Sequence, residues 1–192
     1  MGRPITLFVD YKAKENLVTN YCGLILKILY EENPKSFQKV ISTFISSDFN
    51  VLPEFTQQSR KGESIPDLII QQKSYSLRFE TKLNDDFTVD QISAHLSNFP
   101  ADINYRILFL LSSFSNENQE DTYNKFNDLA KDAVVELLVI SFEDLVDALS
   151  NVEISESFQS LLEEFKVYLD RINCVPSWKY LLDVVNCSST ID

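Results

Sequence analysis

Asp67, Glu80 and Lys82 are the residues of this chain whose types and spacing suit them for joint chemistry. Glu80 and Lys82 alternate with Leu77, Phe79 and Leu83, and a period of two marks a strand with one apolar and one polar face. Glu80 and Lys82 therefore project from the same side, along with Ser76 and Arg78. The stretch from Ile65 to Gln72 reads as a preceding strand, and a turn centred on Lys73 and Ser74 pairs residues whose numbers sum to 147. That register sets Leu68 against Phe79, Ile70 against Leu77 and Asp67 against Glu80, so the apolar faces match. A Lys-Ser pair is not a favoured two-residue hairpin loop, so the register rests on the facing apolar residues and not on the turn. Opposed side chains on one face have Cβ atoms roughly 5 Å apart, and two carboxylates at that range repel unless a cation lies between them. A divalent ion supplies that charge, and hard oxygen donors favour magnesium or manganese. Lys82 reaches the same place, where its ammonium can orient or deprotonate an attacking water and neutralise a pentavalent phosphate. Metal and lysine together are sufficient for phosphodiester hydrolysis.

Several elements must position these residues. Lys14 to Glu31 carries a helical stripe of Leu17, Val18, Leu24, Ile25, Ile28 and Leu29, ended by Asn33-Pro34. Pro34 to Ile45 reads as a second helix and Val51 to Gln57 as a strand. Two strands follow at 65–72 and 75–83, then a helix from Thr88 to Asn98 with Thr88 as its N-cap. Tyr105 to Leu111 is a continuous apolar run, suited to a strand buried on both faces. A helix at 121–131, a strand at 134–140, helices at 142–149 and 155–172 and a short helix at 178–185 complete the chain. The pattern predicts an α/β sandwich, a mixed sheet flanked by helices in one domain. Its core spans about residues 12 to 140, and a helical C-terminal extension spans about 141 to 192.

Pro66-Asp67 followed by Glu80-Thr81-Lys82 at the end of the next strand resembles the signature of the PD-(D/E)XK nuclease superfamily of restriction and repair enzymes. The order helix, three-stranded meander, helix, strand over roughly residues 12 to 112 is similar to that family's core. The resemblance implies a restriction-endonuclease-like α-β-β-β-α-β core and a Mg²⁺- or Mn²⁺-dependent endonuclease, acting on DNA rather than RNA. Restriction, phage defence and repair are all compatible contexts. Many members carry an acidic residue on the first helix as a further metal ligand, a place that Glu15 occupies, so the implied ligand set is Glu15, Asp67 and Glu80. Several place a glutamine on the helix after the lysine strand, which matches Gln91 and gives an implied catalytic set of Asp67, Glu80, Lys82 and Gln91. Some relatives extend this to Gln-x-x-x-Tyr, whereas here the fifth position is His95, a departure from that subgroup. Beyond residue 112 the resemblance adds nothing residue by residue.

Each of these residues also has a plainer reading. Asp followed by Glu-x-Lys is a cheap match in a charged chain, and Glu164-Phe165-Lys166 downstream of Asp144 and Asp147 repeats it. The surrounding pattern there is helical, and i and i+2 on a helix do not face one another. Glu15 is equally a solvated helix-start residue favoured by the helix dipole. Gln91 is equally an exposed helix residue. His95, the single histidine, lies on the same face as Gln91 and has a structural reading. One histidine excludes a His-rich metal site and leaves a Ser-His-Asp triad no other base. Arg60, Lys61, Lys73 and Arg78 form either a phosphate-contacting edge or a charged loop that keeps an edge strand soluble.

The net charge of −12 runs against nucleic-acid binding, but its distribution is uneven. Residues 1 to 83 hold 11 Lys and Arg against 9 Asp and Glu, whereas residues 84 to 192 hold 6 against 20. The candidate site lies in the near-neutral half, and the acidic half is either a solvated surface or the face for a partner, as in a homodimer or with a further domain. A rival reading of the whole chain is a non-catalytic acidic interaction protein, such as an immunity protein or a DNA mimic. No apolar run is long enough to span a bilayer, and the N-terminus lacks the zones of a secretory signal. Cys22, Cys174 and Cys187 are odd in number and share no ligand spacing, which predicts a reducing, cytoplasmic location without zinc.

Overall fold

In a computed structural model the described residues are 14–45, 54–57, 67–71, 75–172 and 174, with the side chains of 14–16, 54, 56 and 57 left out of the description. Helix α1 (Lys14–Glu32) leads into α2 (Pro34–Phe44). The break between them is local chemistry: Asn33 caps α2 by accepting from the Ser36 N–H, and Pro34 occupies the first turn. Three strands follow, β1 (Glu54–Gln57), β2 (Leu68–Gln71) and β3 (Tyr75–Thr81). Helix α3 (Val89–Ser97), β4 (Tyr105–Ser112), α4 (Asn116–Asp132) and β5 (Glu136–Ser141) come next, and α5 (Phe142–Ser150) and α6 (Glu156–Arg171) close the described chain.

The sheet has five strands in the order β1-β2-β3-β4-β5. β1, β2 and β3 form an antiparallel meander, and β3, β4 and β5 run parallel. Parallel neighbours need crossovers, and α3 and α4 provide them. The chain is thus an α/β fold with a mixed sheet flanked by helices.

Alternation along the strands sorts the core into two layers. On one face Leu77, Phe79, Ile107, Phe109 and Leu111 pack against α1, α2, α5 and α6, with Phe79 stacked on Phe109 at 4.4 Å between ring centroids. On the other, Leu108, Leu110, Leu137 and Val139 pack under Ile92 and Leu96 of α3 and Phe126 and Ala130 of α4. β4 is buried on both faces as its apolar run requires, with Leu108 to Leu111 at most 1% exposed. α5 and α6, expected as an extension, fill the first layer beside α1.

β3 corrects one expectation. Its alternation predicts a wet polar face, yet all seven of its residues are buried. The reason is α3, which returns over the polar face on its way to β4, so the alternating polar residues meet a helix instead of water. The repeat of Glu-x-Lys at Glu164 to Lys166 lies within α6, where Lys166 pairs with Glu163 at 2.8 Å and Phe165 enters the core. The expected helix at 178–185 lies outside the described residues.

Candidate active site

The hairpin register is the one the apolar residues dictate: Leu68 pairs with Phe79, Ile69 with Arg78, Ile70 with Leu77 and Gln71 with Ser76. One residue further the ladder departs from that register, and the hydrogen bonds of Asp67 go to the β3 backbone on either side of Glu80. The Asp67 N–H donates to the Phe79 carbonyl at 3.0 Å, and its Oδ2 accepts from the Thr81 N–H at 3.1 Å. Both carboxylates are buried, Asp67 at 8% and Glu80 at 1% exposure.

A buried carboxylate is costly unless its oxygens are met. Three side chains meet Glu80. Gln91 Nε2 donates to Oε1, Lys82 Nζ lies 3.9 Å from the same oxygen, and His95 Nε2 is 2.9 Å from Oε2. The His95 contact is a close approach that falls outside hydrogen-bond alignment. Gln91 and His95 lie one turn apart on α3, whose N-cap Thr88 accepts from the Gln91 N–H. Glu80 thus lies near the helix's N-terminal turn, where the dipole favours negative charge. The structure therefore brings Glu80, Lys82, Gln91 and His95 together and sets Asp67 alongside.

Arg78 is placed differently from its reading as a phosphate contact. It is 5% exposed, its Nη2 donates to the Asn98 carbonyl at 3.0 Å, and its guanidinium lies 4.2 Å from the centre of the Phe99 ring. Burial lowers its pKa from the usual 12.5 to about 10. A guanidinium enclosed beneath the C-terminal end of α3 is a structural contact and not a surface for phosphate. Glu15 lies in the first turn of α1, and its side chain is outside the described residues. Arg60, Lys61 and Lys73 also lie outside them.

Sequence reasoning missed Ser112. It ends β4 one residue past Leu111, whose carbonyl accepts from the Lys82 N–H at 2.9 Å, so strand alternation places it on the α3 side near Lys82. Its hydroxyl is fully buried without a hydrogen-bond partner. A serine at the end of an apolar run gives no signal beyond its position, the carboxyl end of a parallel strand, where α/β sheets gather ligands.

No family model matches the chain, and no curated protein matches it. Among solved structures it is similar to one titled as the Acinetobacter baumannii Cap4 SAVED/CARF-domain containing receptor with the cyclic trinucleotide 3'3'3'-cAAA. The similarity has a TM-score of 0.38 and 12% identity, covering 86% of this chain and 42% of that one, so this chain spans less than half of the receptor's length.

Among the described residues no group of three or more His, Cys, Asp or Glu side chains is arranged to cage a metal ion. The carboxylates described at this site are those of Glu80 and of Asp67, whose Oδ2 accepts from the Thr81 N–H. Magnesium is commonly held by one or two carboxylates with water completing its shell, and such a pair fits that mode but not an all-protein cage. Each carboxylate oxygen carries two acceptor sites, so a single contact such as that from Thr81 or Gln91 does not by itself bar a cation.

Proposed function

We propose that the chain is a divalent-metal-dependent nuclease of the PD-(D/E)XK kind, with a restriction-endonuclease-like core and DNA as its substrate. The observation that supports this reading is the cluster at the end of β3, where Lys82 Nζ lies 3.9 Å from the buried Glu80 carboxylate and Asp67 Oδ2 accepts from the Thr81 N–H between them. The element order of helix, antiparallel meander, helix and parallel strand supports it, as does Gln91 reaching Glu80 from α3.

Asp67 and Glu80 would hold Mg²⁺ or Mn²⁺, which when bound polarises the phosphate and offsets its charge. Glu80 presents its carboxylate at a fixed angle because α3 grips it. Lys82, at 13% side-chain exposure, lies at the rim between this carboxylate and solvent. From there its ammonium orients the attacking water and faces the negative charge that builds on phosphorus. The water's oxygen forms the new P–O bond, a sugar oxygen leaves, and a proton passes to that leaving oxygen. Plasmid nicking with Mg²⁺ or Mn²⁺, abolished by chelator, tests the reading. Absence of nicking in every metal, with no calorimetric metal binding, overturns it.

One observation favours the rival reading of an acidic interaction protein. Glu117, Glu120, Asp121, Asp128 and Asp132 are all exposed along α4, against Lys125 and Lys131. An acidic helix face is most often only a solvated surface, whereas a buried carboxylate pair beside a lysine calls for a ligand.

A further inference from the structure

Gln91 and His95 approach Glu80 from the same face of α3, yet they take different oxygens: Gln91 Nε2 meets Oε1 and His95 Nε2 meets Oε2. The histidine and the glutamate are each 1% exposed, so water does not compete for this contact. A glutamate side chain turns about three bonds, and one contact would leave its carboxylate free to rotate about the other. Two contacts, one on each oxygen, fix the plane. Ligating carboxylates depend on such supporting groups, whose removal weakens metal binding without touching the metal.

We infer that His95 is a positioning residue for the Glu80 carboxylate, approaching Oε2 while Gln91 holds Oε1, so that the carboxylate plane is fixed from α3. The inference rests on the metal-dependent nuclease reading and adds to it the residue that completes the grip from α3. The plain alternative is that His95 only fills space beside Ile92 and Leu96 in the smaller core layer.

Three replacements that differ in bulk and in the reach of a donor separate the two. His95→Gln keeps an N–H donor near the place of Nε2. His95→Asn carries a shorter donor that does not reach Oε2, and His95→Leu fills the space with no donor. Each is made in the full chain and compared with wild type for Mn²⁺ affinity by calorimetry, for kcat and KM in plasmid nicking, and for melting temperature. His95→Leu and His95→Asn should weaken Mn²⁺ binding or lower kcat by about 10- to 100-fold, with KM for DNA little changed. His95→Gln should recover most of the loss. A merely space-filling histidine forecasts the reverse: His95→Leu retains metal affinity and kcat, while melting temperature alone responds. If His95→Leu does not fold, the comparison of His95→Gln with His95→Asn decides, and equal behaviour of those two overturns the inference. Wild-type protein that neither binds Mn²⁺ nor nicks DNA overturns the nuclease reading and this inference with it. An active wild type with an indifferent His95→Leu overturns the inference alone.

Discussion

The two faces of the sheet are built for different ends. Under α1, α2, α5 and α6 lies the larger layer, in which Leu26, Leu29, Phe37, Phe142, Phe158 and Phe109 are all fully buried and apolar. Under α3 the layer is smaller, and Arg78, Glu80 and His95 are buried in it. Burying charge is costly, and such groups persist where they are paired and hydrogen-bonded. The comparison teaches that one face secures the fold while the other uses part of that stability to hold ionisable groups in place. Within the second face the two charges of β3 differ again. Arg78 is closed off beneath the end of α3, whereas Glu80 lies two residues on, next to a lysine at the rim.

The largest expected effect breaks the first face. Phe109→Ala removes the ring stacked on Phe79 and should destabilise the protein by about 3–5 kcal/mol in urea unfolding. Cleavage per folded molecule should survive it. A loss of activity larger than the loss of folded protein would mean that the two faces are not independent.

Next comes Arg78, which sharpens the contrast inside the second face. Arg78→Ala deletes the bond to the Asn98 carbonyl and the contact with Phe99 and should cost about 1–3 kcal/mol of stability. Its effect on DNA affinity, measured by fluorescence anisotropy in the folded variant, should be small. A marked rise in Kd would return Arg78 to the substrate surface. A smaller effect of opposite sign is expected where α4 meets β5. Val134 has φ of 55°, a left-handed conformation that a β-branched residue resists, and its side chain is exposed. Val134→Gly should therefore raise stability by about 1 kcal/mol, seen as a higher melting temperature, with no change in activity. A lower melting temperature would show that the side chain contributes packing there.

Much of this arrangement was legible in the sequence because it rests on local or pairwise chemistry. Leu68, Ile70, Leu77 and Phe79 have one register that matches apolar faces, and the strands adopt it as far as Leu68, beyond which Asp67 bonds the Phe79 carbonyl and not that of Glu80. Thr88 announces the start of α3, and the run from Tyr105 to Leu111 announces a doubly buried strand. The start of α4 was less legible: the helix begins at Asn116, five residues before the expected Asp121, because its first turns are polar. Ser115, which accepts from the Asn118 N–H, was the available signal. What the sequence hid was coverage. Ser76, Arg78 and Glu80 alternate as a wet face does, and nothing local says that α3 folds back over them. Arg78 turning inward and His95 meeting Glu80 follow from that tertiary contact alone.

The central claim, that Asp67 and Glu80 hold a metal while Lys82 acts on the reacting atoms, is tested most directly by titrating Mn²⁺ calorimetrically into wild type, Asp67→Ala and Lys82→Ala alongside a plasmid-nicking assay. Asp67→Ala should lose metal binding and cleavage together. Lys82→Ala should bind metal as wild type does while cleavage falls by about a hundredfold or more, since an interaction made chiefly in the transition state changes kcat more than affinity. Equal metal binding and equal activity in all three proteins would contradict the account and leave these residues as charges of an ordinary hairpin.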